Sequence, residues 1–478
     1  MYKIPDEYYF RLHHVRPRFK GDVENVLIYI AEGISSLSAK PNKEFAEDMD
    51  KIISMYPGNA NRTAKTIANW RTEISSLFGF VEHHNDGEDK PGRRAIELAE
   101  SQDLIQFFKT FLFTFQYPGA HIKKQSILEQ IEHGIHFKPA QYILKLFQYA
   151  CKKEKANIGF TKAEICHCVF NDLRCTRDNE DVSLTWERIK KNRKSEQEYD
   201  QTGDVIRYAG DIIDYMEIAD LLKTYDHYTY YLNNLEEDSI LQFIQSSEWF
   251  DKYDTMISNR FGTYEEIDSY YDLWFGYVNR DMKETDFSTD ILKFIAQNQD
   301  ELDELQRSVE SNTEAERIIS KRIASDMPLR TKDIGDIGES LVYGHECMRL
   351  HISGRDDLVH LVKRIPTQFA VGYDVLSVEI DDEKKRFIEV KTTISSKPLD
   401  FNKVHMTPNE WNTANSVRDR YYVYRLLISK HDRKLFLLQN PVGLYKNDEI
   451  NMIPENGATI TFNPENVGRF EELLTWQS

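Results

Sequence analysis

The stretch from Gly372 to Thr393 constrains the fold most tightly. Ile388 and Val390 fall on one side of an expected strand, so Glu389 and Lys391, two residues apart, share the other. Asp374 stands at the head of the strand before it. The intervening Asp381-Asp382-Glu383-Lys384-Lys385-Arg386 is polar enough to form the tip of a hairpin joining the two. Two carboxylates and an ammonium can then converge on one open face. These are the groups that metal-assisted cleavage of a phosphodiester uses: acids to hold a cation, and a cation beside them to orient or polarise the attacking water.

Around this hairpin the texture from Thr331 onward is α/β. Ile334, Ile337, Leu341 and Val342 lie along a helix that carries Gly338-Glu339 and then Glu346. Strands are expected near Leu358 to Val362, Asp374 to Ile380, Phe387 to Thr393, Tyr421 to Ile428 and Lys434 to Gln439. Thr407-Pro408-Asn409-Glu410-Trp411 reads as a helix start, with Thr407 placed to cap free amides and Pro408 suited to the first helical position.

Five blocks occur in order: Gly338-Glu339, Gly372-Tyr373-Asp374, Ile388-Glu389-Val390-Lys391-Thr392-Thr393, Met406 to Trp411, and Tyr422-Val423-Tyr424-Arg425. Together they resemble the NO VEIN C-terminal domain, a branch of the PD-(D/E)XK nuclease superfamily, over about residues 331 to 440. A Glu-x-Lys triplet alone arises easily by chance; five ordered blocks do not. The resemblance implies roles residue by residue. Asp374 would be the bridging metal ligand, Glu389 the second carboxylate, Val390 a backbone-carbonyl ligand, Lys391 the group that positions water, and Glu339 an additional acidic position. Tyr373 replaces the proline usual before the first acid. Mg²⁺ is the implied cofactor, with Mn²⁺ able to substitute. Two other readings of the same residues are a solvated hairpin whose Glu389 and Lys391 merely pair, and a nuclease fold that has lost catalysis.

At 478 residues the chain is long enough for two to four domains, and 40 % hydrophobic content suffices for packed cores. No apolar run approaches the roughly 18–20 residues of a membrane span, and Met1 to Glu7 has no secretory apolar region, so no membrane partner and a cytoplasmic location are expected. The five cysteines are odd in number and four are clustered, unlike a disulfide framework. Cys166-His167-Cys168 with Cys175 lacks the usual zinc spacing, and Ile165, Cys168 and Val169 read better as a buried helix face. His83-His84 reads as a solvated loop pair. A net charge of −18 weighs against nucleic acid, whose binding rests on neutralised phosphates. However, residues 201–330 carry 28 acidic against 12 basic side chains, so most of the excess sits in one segment and leaves basic surfaces elsewhere available.

In the N-terminal half, Arg11, His13, His14, Arg16, Arg18 and Lys20 precede a short apolar helix near Val23 to Ile34. After Asn42 the pattern is helix, turn, longer helix and a β wing. Ile67, Trp70, Ile74 and Leu77 form a core stripe, and Arg62, Lys65, Asn69 and Thr72 occupy the opposite face. Gly79-Phe80-Val81 then starts a strand leading to Arg93-Arg94. This resembles a winged helix, whose second helix reads the major groove while wing arginines meet phosphate. Further candidates run from about Phe137 to Val205, with Arg188, Lys190, Lys191, Arg193 and Lys194, and from Asp204 to Asn233.

The expected architecture is multidomain: a mainly α N-terminal half with winged-helix-like modules, and a C-terminal α/β domain of the PD-(D/E)XK, restriction-endonuclease-like kind with a central mixed sheet. Its parts are residues 1–100, an arm and recognition module; 101–234, further recognition modules; 235–330, an acidic helical connector; and 331–478, the nuclease domain. DNA-contact candidates are Arg62, Lys65, Asn69, Thr72, Arg93, Arg94, Lys190, Lys191 and Arg193. The whole resembles type II restriction endonucleases with separate recognition and cleavage parts, including the type IIS, BpuJI-like group. The resemblance implies a Mg²⁺-dependent, site-specific endonuclease acting on double-stranded DNA and a homodimer at least on DNA, and it leaves open a companion methyltransferase. Open alternatives are a modification-dependent or phage-defence nuclease, and a catalytically inactive DNA-binding regulator.

Overall fold

The computed structural model describes residues 1–12, 23–56, 59, 62–83, 87–226, 228–282, 285–290, 293–294, 296, 299–303, 334–365, 371–396, 399, 402–429, 433–455 and 457–474. The basic cluster from 13 to 20, and the expected acidic helical connector beyond residue 303, lie outside them. The chain forms two compact units, Met1–Glu100 with Leu104–Phe287, and Ser101–Asp103 with Ser288–Ser478. No helix among the described residues is long and apolar enough to cross a membrane.

The first unit is mainly helical with two small sheets. Asn42–Met55 and Ala64–Ser76 form a helix pair, the second capped by Thr63, whose hydroxyl accepts from Thr66 N. Ile67, Trp70, Ile74 and Leu77 are buried as the periodicity requires. A three-stranded antiparallel sheet follows, ordered Lys40–Pro41, Glu88–Pro91, Val81–His83. The second sheet is ordered Phe160–Thr161, Thr229–Leu232, Leu222–Thr224. Phe160 pairs with Tyr230, so the candidate modules at 137–205 and 204–233 share one sheet.

Between Phe160–Thr161 and the helices Val182–Lys194 and Gly203–Ile218, Thr161 and Glu164 form a reciprocal capping box, and Cys166–Phe170 is a π-helical turn. All five cysteines are free; Cys166, Cys168 and Cys175 are buried as small apolar groups.

Residues 235–287 of the expected connector fold into this first unit. The helix Leu104–Thr114 is buried all round, and its Lys109 Nζ lies 2.6 Å from Glu236 Oε2, an ion pair shut away from water. Trp274 Nε1 donates to Ser76 O at 3.2 Å, and Asn279 Nδ2 to Val81 O at 2.9 Å. His83 is not a solvated loop residue. It belongs to a strand, bonds Asp89, and sets its ring 4.1 Å from that of Phe275.

The second unit is built on a six-stranded mixed sheet: β1 Lys363–Arg364, β2 Val375–Val378, β3 Lys385–Ile394, β4 Tyr421–Ile428, β5 Arg433–Gln439 and β6 Arg469–Glu472. The order is β6-β5-β4-β3-β2-β1; β3 and β4 are parallel and the remaining pairs antiparallel. The hairpin between β2 and β3 forms, but its tip is shorter than the polar run, since Lys385 and Arg386 already pair with Val378 and Ser377. Leu358 to Val362 differs from expectation: it is mostly a 3₁₀ helix, Asp356–Leu361, with only Lys363–Arg364 pairing to β2. That edge ladder is too short to hold the apolar residues as a strand.

Every residue of β4 is buried, as befits a central strand covered on both faces. On one face Tyr421, Val423 and Leu427 pack with Phe436, Leu438, Val404, Met406 and Ala414. On the other, Glu346 of the helix Ile334–Ile352 is wholly buried and answered on all sides. Its Oε1 accepts from Tyr424 Oη at 2.7 Å and Arg386 Nη1 at 3.3 Å, and its Oε2 from Arg349 Nη2 at 2.7 Å. Arg386 Nε continues to Glu379 Oε1 at 2.9 Å, tying helix, hairpin and central strand together.

Candidate active site

Two glycines bring the site's elements into contact. A Cβ on Gly338 would fall 1.7 Å from Thr392 Oγ1, so only glycine lets the helix Ile334–Ile352 approach β3 this closely, and Glu339 follows directly. Gly372 has φ +75°, and a Cβ there would lie 2.7 Å from Asn409 O in the first turn of the helix Pro408–Val417. The Gly372 carbonyl also accepts from Tyr421 Oη at 2.8 Å. Asp374 is thereby delivered beside β3, its N–H donating to Ile388 O at 2.8 Å and its carbonyl accepting from Ile365 N at 2.7 Å.

Beyond Ile388 the β2–β3 ladder has ended, and side chains take over its edge. Asp374 Oδ2 accepts from Val390 N at 2.8 Å. Because a strand residue turns its N–H and C=O to the same side, the Val390 carbonyl also faces the Asp374 edge. Lys391 Nζ bridges Glu389 Oε1 at 2.8 Å and Glu410 Oε2 at 3.0 Å. Glu339 Oε2 accepts from Arg364 Nη2 at 3.0 Å, and Arg364 Nη1 donates to Ser340 Oγ at 2.9 Å. Asp374, Glu389, Lys391, Val390 and Glu339 thus come together.

Glu410 and Arg364 are not among the site residues expected from sequence. Glu410 sits inside the Thr407 to Trp411 block, where sequence marks it only as part of a helix start; Arg364 carries no local signal.

Charge in the site is unevenly compensated. Burial, then the negative charge of Asp374, push the Glu339 carboxyl up to about 7 against the pull of Arg364. Burial also raises Asp374, against the Val390 N–H and Lys391. Glu389, 5 % exposed, is raised well above the carboxylate range by burial, with Lys391 opposing and Asp374 and Glu410 adding to the rise. Burial lowers Lys391, but Glu389 and Glu410 outweigh it and hold the ammonium protonated. Burial likewise works against an ionised Glu410, and Lys391 more than offsets it.

Among the described residues no three His, Cys, Asp or Glu side chains enclose an ion by themselves. The donor set nevertheless fits a small hard cation that keeps several waters: two carboxylates, Asp374 and Glu389, beside a backbone carbonyl, Val390. Each of the two acids has its proton affinity raised, so a positive charge placed between them would relieve what now opposes their ionisation.

The expected DNA-contact residues are placed differently from one another. Arg62, Lys65 and Thr72 are exposed, and Asn69 is half-buried, with Lys65, Asn69 and Thr72 on the helix Ala64–Ser76 and Arg62 just before it. Arg93 is exposed but opens the helix Arg93–Ser101 rather than lying in a wing. Arg94 is a correction. It is buried, its Nε donates to Val278 O at 2.9 Å and its Nη1 to Glu97 at 2.5 Å, so its guanidinium serves packing and cannot meet a phosphate. Lys191 is exposed; Lys190 pairs with Glu154 at 2.9 Å. Arg193 is corrected in part. Its Nε donates to Glu164 Oε1 at 2.7 Å and its guanidinium lies over Phe160 and Trp186, so most of its donors are already engaged.

Residues 2–275, more than half of the chain, match the family "Restriction endonuclease BpuJI - N terminal". The chain belongs to this family. Residues 338–438 match the family "Protein NO VEIN, C-terminal", within the region where the five sequence blocks lie. Among solved structures, the BpuJ1 endonuclease binding domain, crystallised with pyrene- and phenanthrene-modified DNA, is similar in fold with a TM-score of 0.52. It is 23 % identical and covers 58 % of this chain and 100 % of its own. No curated protein matches the chain.

Proposed function

We propose that this chain is a Mg²⁺-dependent, site-specific endonuclease of a restriction system that hydrolyses phosphodiester bonds in double-stranded DNA. Its second unit would be a PD-(D/E)XK catalytic domain and its first would carry winged-helix-like recognition modules. The observation that supports this reading most directly is the convergence of Asp374, Glu389 and Lys391 at the open end of β3, with Glu339 delivered by the Gly338 contact. Membership in the BpuJI N-terminal family supports the restriction context.

In this reading Asp374, Glu389 and the Val390 carbonyl hold the cation, which when bound acidifies water and stabilises charge on the phosphate. Lys391 presents an ammonium beside Glu389, where it orients the attacking water toward the scissile phosphorus and offsets the negative charge that grows there. Glu339, half-buried and readily protonated, bonds Arg364 at the margin of the site. One such site cuts one strand at a time, so double-strand cleavage calls for two subunits on the DNA or for repeated binding by one.

Incubating the protein with Mg²⁺ and duplex DNA of many sequences, then sequencing the run-off ends, tests the reading in one step. Discrete ends at a fixed offset from a recurring sequence are expected; no ends on any DNA with Mg²⁺ or Mn²⁺ would leave a DNA-binding protein without this activity.

The recognition role of the first unit has its own test. Lys65 in the first turn of the helix Ala64–Ser76 and Arg62 just before its cap are exposed cations. Replacing both by alanine is expected to weaken DNA binding and to reduce the slope of log K against log salt by roughly 1 for each phosphate that is no longer neutralised. An unchanged slope in a salt titration would move the DNA contact elsewhere.

A further inference from the structure

The geometry points to Glu410 as the positioning residue for Lys391, an inference that rests on the nuclease reading above. A lysine side chain has four rotatable bonds, and Glu389 alone is a poor anchor for it, since the same carboxylate is proposed to hold the cation. Glu410 supplies a second anchor that is not among the proposed cation ligands, although its carboxyl also contacts Glu389. Its Oε2 accepts from Lys391 Nζ at 3.0 Å and from the Thr407 backbone N–H at 3.0 Å, and its own N–H donates to Thr407 Oγ1 at 3.4 Å. The carboxylate is thus fixed by a closed capping box before Lys391 reaches it.

The box is itself tied to the segment that leads into Asp374. Thr413 Oγ1, one turn on, donates to Val371 O at 3.0 Å, and Gly372 packs against Asn409 O, leaving no room for a side chain. Asp374, two residues from Gly372, and Glu410, one residue from Asn409, are therefore held in one rigid frame. Glu410 is 8 % exposed, so little water competes for its carboxylate. With Glu410 as a fixed second partner, the place of Lys391 does not depend on what Glu389 binds.

The test compares wild type, Glu410→Gln, Thr407→Ala and Lys391→Ala in single-turnover nicking of a supercoiled plasmid with Mg²⁺, together with plasmid affinity. Glutamine still accepts the Thr407 N–H but loses the charge that holds the ammonium. Thr407→Ala opens the box from its other side and leaves the Glu410 carboxylate and the Thr407 N–H in place. Glu410→Gln is expected to lower the nicking rate about 10²-fold at unchanged affinity, the scale of a misplaced catalytic group, whereas Thr407→Ala keeps most of the rate.

A second readout does not need turnover: modification of Lys391 by an amine-reactive ester in the metal-free protein, read by peptide mass spectrometry, should quicken severalfold in Glu410→Gln. A wild-type nicking rate in Glu410→Gln, or a loss in Thr407→Ala as large as in Glu410→Gln, would overturn the assignment, the latter making Glu410 a helix cap only. If wild type nicks no DNA, the nuclease reading falls. The labelling arm then still decides on Glu410: unchanged labelling refutes the anchor and faster labelling upholds it.

Discussion

Replacing Asp374 or Lys391 by alanine is expected to abolish Mg²⁺-dependent cleavage while leaving DNA binding intact. Asp374→Ala removes a carboxylate from the proposed cation site and leaves the Val390 N–H without its acceptor. Lys391→Ala removes the ammonium that both Glu389 and Glu410 contact, and with it the charge proposed to offset the one that grows on the scissile phosphate. Loss of one such group from a preorganised site costs roughly 10²–10³-fold in rate, and more where a cation ligand is removed. Binding should persist because the expected recognition residues lie in the other unit, among them Arg62, Lys65 and Thr72. The measurement is the time course of nicked and linear product beside a gel-shift titration at one salt concentration. Undiminished cutting by both variants would sink the catalytic assignment.

The largest effect on stability is expected at Glu346. Glu346→Ala would leave Arg386 and Arg349 buried without their shared carboxylate, and breaking such a pair costs about 3–5 kcal/mol. Urea unfolding of the C-terminal unit should move to a correspondingly lower midpoint. The same group sets an acid limb. Burial by itself would raise the Glu346 carboxyl, but the Arg386 and Arg349 guanidiniums outweigh it and hold it at about 2, against 4.5 for the free group. The folded state then binds fewer protons than the unfolded one between these values. Its contribution is full above about 4.5 and is lost as the pH falls toward 2. In Glu346→Gln, melting temperature should fall less steeply over that window than in wild type; equal slopes would show that other carboxylates govern acid unfolding.

What could be read in the amino-acid order was whatever depends on near neighbours. Strand alternation put Glu389 and Lys391 on one face, the polar run from Asp381 marked a hairpin tip although Lys385 and Arg386 at its end belong to β3, and Thr407-Pro408 marked a helix start that the structure places at Pro408–Val417. The core stripe of Ile67, Trp70, Ile74 and Leu77 was legible for the same reason: a helical period shows in a single segment.

Tertiary structure decided everything that needed partners distant in sequence. Nothing local distinguishes Arg94 from Arg93. One is buried against Val278 and Arg280 and the other is exposed, because the helix they open packs on a segment more than 180 residues away. Residues 235–287 read in sequence as part of an acidic connector, but Glu236 answers the buried Lys109 and Asn279 donates to the Val81 carbonyl, so the segment folds into the first unit. In the site itself, the sequence by itself determined which acids and which lysine share the strand and hairpin. Only the folded chain brought Glu410 to Lys391 and Arg364 to Glu339, since a carboxylate's ion-pair partner is set by the packing of helix on sheet and by two glycines that permit it.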